Sequence, residues 1–384
     1  MMLLSLSLAL LVLVLLGYPL WCLRQSRHTP QAIPAPSTWP SLSVLIVVRN
    51  GADRIDAKLA NTFGLHYPGP TPQVLVYDDG SSDDTAERVA RRPAATLLRS
   101  TEHHGKIAGL NALAEQASGE VLVFSDVDAL LDDNALCALI PPLCQPGIGG
   151  VCGQRRVQGS SALAQAQSDY IDWDSRIKLG ESARGSLTSN DGKLYALWRG
   201  LYQPIPAAVT DDLYAALSVI AQRQRFVFAP GAIARVPLPV HRMAQEIPRR
   251  RRIVGASLNG LRHHRRLLNP WRYGQVATGL WINKVGRRLL PLALLGLLLG
   301  SALLAPTHPI AALLLVLQLA GYGVAALHPW LRPRALQRVA ERATYFILAN
   351  IGMLLGWFDF ITGRAAPKWE PEKGSAHTAK ENDQ

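Results

Sequence analysis

The chain has 384 residues, of which 48% are hydrophobic and 18% charged, with a net charge of +12. A wholly membrane-embedded protein would carry fewer charges, and a wholly soluble one would lack the long uncharged runs present here, so the composition excludes both. It fits a soluble domain joined to a few membrane spans, within a length that allows two or three ordinary domains.

The charge is concentrated. Residues 242–288 hold 12 Lys and Arg against one acid, Glu246, and so supply +11 of the +12. They precede a long apolar run, where the positive-inside rule and anionic lipid headgroups both place basic residues, which argues against a nucleic-acid partner. Cys22, Cys137, Cys144 and Cys152 form no CxxC and no His-paired metal spacing, and read as structural residues in a reducing compartment.

Residues 1–23 contain no charge and are long enough to cross a bilayer. No basic residue precedes this run, as a cleaved signal peptide would require, whereas Arg24, Arg27 and His28 follow it. That asymmetry predicts an external N-terminus with everything after Arg24 in the cytoplasm. A linker with Pro30, Pro34, Pro36 and Pro40 comes next. Residues 43–48, 74–77 and 121–126 read as buried strands, with helical candidates at 52–63, 86–92 and 106–117 between them. This alternation predicts an α/β domain with a parallel sheet, whose ligands bind at the carboxyl ends of its strands. Residues 226–232 read as a late strand returning to the sheet. After the basic segment, 289–305 and 310–327 read as a transmembrane hairpin turning at 306–309, and 343–358 is a third candidate that either spans or lies in the interface. Arg262, His263, His264, Arg265, Arg266 and Trp271 resemble an interfacial amphipathic helix. The tail after Pro367 is polar and reads as disordered.

Three acidic clusters carry the chemistry. In VLVFSDVDALL an apolar strand ends in Asp126 and Asp128; were the strand to continue extended, residues i and i+2 would point the same way, toward one ion or substrate. Hard oxygen ligands of this kind suit Mg²⁺ or Mn²⁺, which keep waters and bind substrate phosphates. In VYDDGSSDDT, the Asp79-Gly80-Ser81 sequence is also good turn chemistry and Ser82 or Asp83 a helix cap, leaving Asp78 and Asp79 as the functional candidates. In Thr210-Asp211-Asp212, Thr210 reads equally as an N-cap with acids in the first helical turn.

In combination the chain resembles the inverting family-2 glycosyltransferases, specifically the bacterial membrane-bound branch that makes exopolysaccharide and lipid-linked glycans. The resemblance runs from residue 42 to about 369 through VVRN (47–50), YDDGSSDDT, GKIAGLN (105–111), SDVD, TDD, the basic membrane junction WINKVGRRLLP (281–291) and the tail motif KWEP (368–371). It implies a GT-A fold, Rossmann-like with a mostly parallel sheet, in a cytoplasmic domain held by an N-terminal transmembrane helix and a C-terminal helical membrane region. It implies a metal on Asp128 assisted by Asp126, and a general base at Asp212 with Asp211 in reserve. It implies nucleoside contacts from Asp78, Asp79 and Asn50. Lys106 reads either as positive charge near the donor or as a solvent-facing lysine at a helix start. The implied partners are a nucleotide-sugar donor, a glycan or lipid-linked acceptor and membrane lipids, with no nucleic acid, at the bacterial inner membrane.

One departure bears on the reaction. Processive relatives carry Gln-x-x-Arg-Trp after the base, whereas this chain has Arg249-Arg250-Arg251-Arg252-Ile253. Arg252 retains a guanidinium suited to pyrophosphate, while the Arg249–Arg251 run equally suits lipid headgroups. The missing Gln and Trp favour transfer of one sugar over polymerisation. A polyprenyl-phosphate glycosyltransferase shares every motif, and a non-catalytic scaffold of a polysaccharide export complex is the reading from another class. The expected division is an anchor at 1–23, a linker at 24–41, the GT-A domain at 42–241, basic interfacial helices at 242–288, transmembrane helices at 289–363 and a polar tail at 364–384.

Overall fold

The structure, a computed structural model, describes residues 1–26, 33–159, 162–238, 243–330 and 334–364. Arg27, His28, Pro30, Arg242 and the KWEP tail motif lie outside the described residues.

The chain runs through α1 (Met2–Ser26), β1 (Leu42–Val48), α2 (Ile55–Phe63), β2 (Gln73–Asp79), α3 (Thr85–Ala90), β3 (Ala95–Ser100), α4 (Lys106–Gln116) and β4 (Val121–Ser125). It continues through β5 (Leu130–Leu131), α5 (Ala135–Leu143), β6 (Ile148–Val157), α6 (Ala162–Arg184), β7 (Leu194–Trp198), α7 (Asp211–Ala221) and β8 (Arg225–Val236). Four helices follow: α8 (Met243–His263), α9 (Pro270–Leu304), α10 (Pro309–Ala326) and α11 (Arg334–Thr362).

All seven residues of β1 are buried, as a central strand covered on both faces requires. Leu42, Val44, Ile46 and Val48 feed one core with Ile55 and Leu59 of α2 and Leu136 and Leu139 of α5. Leu45 and Val47 feed the other, with Leu110 and Leu113 of α4 and Leu213 and Leu217 of α7. The strand order is β3-β2-β1-β4-β7-β6-β8-β5. β3, β2, β1 and β4 are mutually parallel and β6 is parallel to β8, but β7 runs antiparallel to both its neighbours and β5 antiparallel to β8, so the sheet is mixed. The parallel half turns the carboxyl ends of β1, β2 and β4 toward one edge.

Among the described residues, four helices are long and apolar enough to cross a membrane. α1 lies along α9 at positions where small residues allow close approach. A Cβ on Gly296 would collide with Ser7 Oγ, and one on Gly300 would stand 3.1 Å from the Leu4 backbone. Gly296→Leu is therefore expected to part these helices and lower the detergent-solubilised protein's thermal midpoint, at a cost of about 1–3 kcal/mol. An unchanged midpoint would show that the contact carries no stability.

α11 meets the length criterion yet does not run beside the hairpin of α9 and α10. Trp357 Nε1 donates to the Arg288 carbonyl (2.8 Å) and Thr344 Oγ1 to the Ala325 carbonyl (3.2 Å). Residues 288 and 325 lie at the same end of that antiparallel pair, while 344 and 357 are about 20 Å apart along their helix. Among α10 residues only Ala311 and Ala325 are buried. α11 thus crosses the end of the hairpin, exposing Phe346, Ile351, Leu354, Phe358 and Ile361. The basic stretch at 262–271 differs from the single amphipathic helix expected. α8 stops at His263, a 3₁₀ turn spans Arg265–Leu268, and α9 starts at Pro270. Pro270 forces Asn269 into extended backbone, and the Asn269 side chain caps the new helix through Trp271 N (3.0 Å).

Candidate active site

The sheet edge gathers residues from six places: the ends of β1, β2 and β4, and the starts of α4, β7 and α7. Asn50 takes a left-handed backbone (φ 50°), which Asn tolerates, and its Oδ1 accepts Ser82 N (2.8 Å) while its N–H donates to Ser81 Oγ (2.9 Å). It thereby clamps the loop after β2 to the end of β1. Asp79 is buried and fully engaged: its carboxylate accepts His104 N (2.8 Å) and Gly105 N (3.0 Å) and lies 2.8 Å from His103 Nδ1. It shapes the turn that launches α4. Asp78 is equally buried and accepts from Ser81, but its Oδ2 has no hydrogen-bond partner, Arg99 Nε being 3.8 Å away. Of the two, Asp78 has an acceptor left to offer.

Asp126 and Asp128 do not lie in a continuing strand, contrary to expectation. β4 ends at Ser125 and the next residues form a turn closed by Ala129 N to the Asp126 carbonyl (3.1 Å). The turn is held from below by Lys58, wholly buried on α2, which donates to Ser125 Oγ (2.7 Å) and the Ala129 carbonyl (2.6 Å). Burial pulls the Lys58 ammonium down to about 7 against the opposing pull of Asp126 and Asp128. The two aspartates converge even so, because one cation bridges them: Lys193 Nζ is 3.0 Å from Asp126 Oδ2 and 2.8 Å from Asp128 Oδ1.

Lys106 extends the chain of charges. Its ammonium lies 2.8 Å from Asp126 Oδ1 and 2.8 Å from Asp211 Oδ2. The result is an alternating ladder, Asp128–Lys193–Asp126–Lys106–Asp211, so Lys106 faces the site rather than solvent. Burial alone would raise the Asp126 carboxyl, but Lys106 and Lys193 outweigh it and hold it well below the usual carboxylate range. Burial alone would likewise lower Lys106, and Asp126 and Asp211 hold it far above its ordinary value instead. Asn111, from the same GKIAGLN run, supports the framework instead. It accepts Tyr202 Oη (2.6 Å) and Ile205 N (2.9 Å), fixing the loop that leads to α7.

Thr210 occupies the N-cap position of α7 with extended backbone, and Asp211 and Asp212 form its first turn. Asp212 Oδ1 accepts its own helix's Leu213 N (2.7 Å), and Asn190 Nδ2 donates to the Asp212 carbonyl (3.0 Å). Burial, then repulsion from Asp211, pushes the Asp212 carboxyl up to about 6. Gly192 lies against it: a Cβ there would be in ordinary contact, 3.7 Å from Asp212 Cβ and 3.8 Å from Lys106 Nζ. Arg252 stands on α8, partly buried.

Lys193 escaped the sequence reading, as did β7 and the antiparallel pairing that places it. The register Ser125↔Leu194 sets residue 193 opposite residue 126. The available signal was a turn-rich Asn190-Asp191-Gly192 followed by a lysine and an apolar strand.

Whether a divalent ion fits can be judged from that ammonium, which already stands as a cation between two carboxylates. Among the described residues no three His, Cys, Asp or Glu side chains cluster. An ion here would rest on Asp126 and Asp128 and complete its shell with water and phosphate oxygens, the usual habit of Mg²⁺ and Mn²⁺. The residues fit.

The mixed sheet and its acidic edge are those of a GT-A fold, here carrying apolar helices long enough to cross a membrane. Residues 43–193 match Glycosyl transferase family 2. Over 157 residues it is 28% identical to the poly-β-1,6-N-acetyl-D-glucosamine synthase of Staphylococcus epidermidis, covering 39% of this chain and 38% of the relative. The Staphylococcus aureus synthase is 27% identical over the same coverage. The chain thus matches well under half the length of these curated relatives. The mannosyltransferase PcManGT from Pyrobaculum calidifontis, solved with GDP-Man and Mn²⁺, shares the fold with a TM-score of 0.66 at 24% identity, covering 92% of this chain and 99% of that one.

Proposed function

We propose that this protein is a membrane-bound inverting glycosyltransferase that moves one sugar from a nucleotide-sugar donor to a glycan or lipid-linked acceptor. The observation that carries the reading is the charge ladder ending beside Asp212. One end offers two carboxylates for a cation, and the other offers a carboxylate whose proton affinity suits a base near neutral pH.

In this reading Asp212 accepts the proton of the acceptor hydroxyl as it attacks the anomeric carbon from the face opposite the leaving group. The leaving nucleoside diphosphate carries growing negative charge, which Lys106 and Lys193 offset from two sides. A divalent ion, Mg²⁺ or Mn²⁺, bound by Asp128 and Asp126 would supply Lewis acidity toward the same phosphates. Asp78 and Asn50 hold the nucleoside, and Arg252 reaches the pyrophosphate.

The catalytic domain faces the cytoplasm of a bacterial inner membrane. α1 and the α9–α10 hairpin span the bilayer, while α11 lies in the interface, so both ends of α11 stay on the catalytic side. Arg338→Cys and Arg364→Cys, each in a protein whose native cysteines are replaced, should both react with a membrane-impermeant thiol reagent only in inverted vesicles. Labelling of position 364 in right-side-out cells would show that α11 spans.

The direct test incubates membranes containing the protein with labelled UDP- and GDP-sugars and Mn²⁺, followed by extraction of lipid and polymer fractions. Asp128→Ala should reduce donor turnover by about 10²-fold or more, and wild-type turnover in that variant would remove the basis of the reading. The staphylococcal relatives bear the name of polymer synthases. Label confined to long polymer would replace single addition with processive synthesis.

A further inference from the structure

Lys193 holds the two carboxylates that the proposed function assigns to a divalent ion. Its Nζ is 2.8 Å and 2.9 Å from the two Asp128 oxygens and 3.0 Å from Asp126 Oδ2. An ammonium and a metal ion cannot both occupy that point, since each needs the same oxygen lone pairs and the two repel at contact distance. Lys106 contends for one of these oxygens only, Asp126 Oδ1. It is shared between Asp126 and Asp211, and Asp211 belongs to the other end of the ladder.

The two lysines are also mounted differently. Lys106 sits in the first turn of a helix. Lys193 is the residue just before β7, with its N–H donated to Asp191 Oδ1 (3.2 Å) and the following Leu194 fixed opposite Ser125. Its backbone is therefore a fixed pivot, and its four-carbon stem can turn without disturbing the sheet. An ammonium displaced from the carboxylates remains within the same partly buried edge, where the strongest available acceptors would be the oxygens of an entering diphosphate.

We propose that Lys193 is a displaceable counter-ion. It neutralises the Asp126–Asp128 pair while no divalent ion is bound, and it transfers to the donor diphosphate when ion and donor enter together. This rests on the reading of the site as one for a nucleotide diphosphate and a metal. It makes metal and nucleotide binding cooperative, because the ion frees the lysine that the diphosphate then engages.

Two measurements on the full-length detergent-solubilised protein test this. The first titrates Mn²⁺ by electron paramagnetic resonance, with and without UDP or GDP, in wild type and Lys193→Met. Without nucleotide the variant should bind Mn²⁺ about tenfold more tightly, having lost the competitor, and with Mn²⁺ present it should bind nucleotide about tenfold more weakly, the worth of one charge-assisted contact. Equal affinities in both proteins would overturn the proposal. The second needs no variant. Acetylation of wild-type Lys193, read by mass spectrometry, should rise on adding Mn²⁺ alone and fall again when UDP or GDP follows. A Lys193 reactivity that ignores Mn²⁺ would also overturn it. Wild-type Mn²⁺ binding that Asp128→Ala leaves unchanged would instead remove the site reading itself, and the counter-ion with it.

Discussion

Asp212→Asn is expected to lower sugar transfer by about 10²–10⁴-fold, the usual worth of a positioned general base, while leaving the fold and nucleotide binding intact. Asn keeps an Oδ1 able to accept Leu213 N, the one side-chain hydrogen bond that Asp212 makes to its own helix. What is lost is only the capacity to take a proton. The pH profile separates this from a structural defect. Burial and Asp211 hold the Asp212 carboxyl up at about 6, and the proton-free form is the base. Wild-type turnover should therefore rise with pH through about 6 and then level, and the residual rate of Asp212→Asn should lack that rise. Asp211→Asn provides the contrast. Removing the like charge beside Asp212 lowers its proton affinity, so the rising limb should move to lower pH. Initial rates of labelled-donor turnover from about pH 5 to about pH 8 would measure all three proteins across that range. A rising limb in Asp212→Asn at the wild-type position would assign the base elsewhere.

The parts of this molecule that were legible in the sequence share one property: they are local. The three apolar runs that became β1, β2 and β4 are continuous because both faces of each strand are buried, and that condition is written residue by residue. The apolar helical hairpin was legible for the same reason. Its helices, α9 ending at Leu304 and α10 starting at Pro309, turn close to the predicted 306–309.

What was not legible depends on pairings far apart in the chain. Lys106 reads from sequence as a helix-start lysine with two equal fates, and only the packing of α7 on β6 and β8 decides between them by presenting Asp211 beside Asp126. Lys193 was invisible until β7 was known to run antiparallel to β4. The expectation that Asp126 and Asp128 would share one face of an extended strand reached the right neighbourhood by the wrong geometry. A turn closes after Ser125, and the aspartates meet because Lys193 draws them together from the neighbouring strand. α11 shows the same limit. Its length and hydropathy are those of a span, and only its contacts with the same end of both hairpin helices lay it across them.

Lys106→Met should show how far the two ends of the site depend on each other. Lys106 is the one rung of the ladder shared between the carboxylate assigned to metal and the pair assigned to the base. Its removal leaves Asp126 with Lys193, but it leaves Asp211, the neighbour of Asp212, without its ammonium partner. Breaking a buried ion pair on one side typically costs about 3–5 kcal/mol, and this pair, being partly exposed, loses less. Lys106 lowers the proton affinity of Asp212 in the intact site, so its loss must raise it. The rising limb of the pH profile is thus expected to move upward from about 6, opposite to the shift in Asp211→Asn, together with a fall in donor affinity of about tenfold or more from the lost positive charge near the diphosphate. Lys106→Arg restores charge and should recover part of the affinity. A Lys106→Met protein that binds donor normally and keeps the wild-type limb would make the lysine a surface counter-charge, and the ladder two independent pairs.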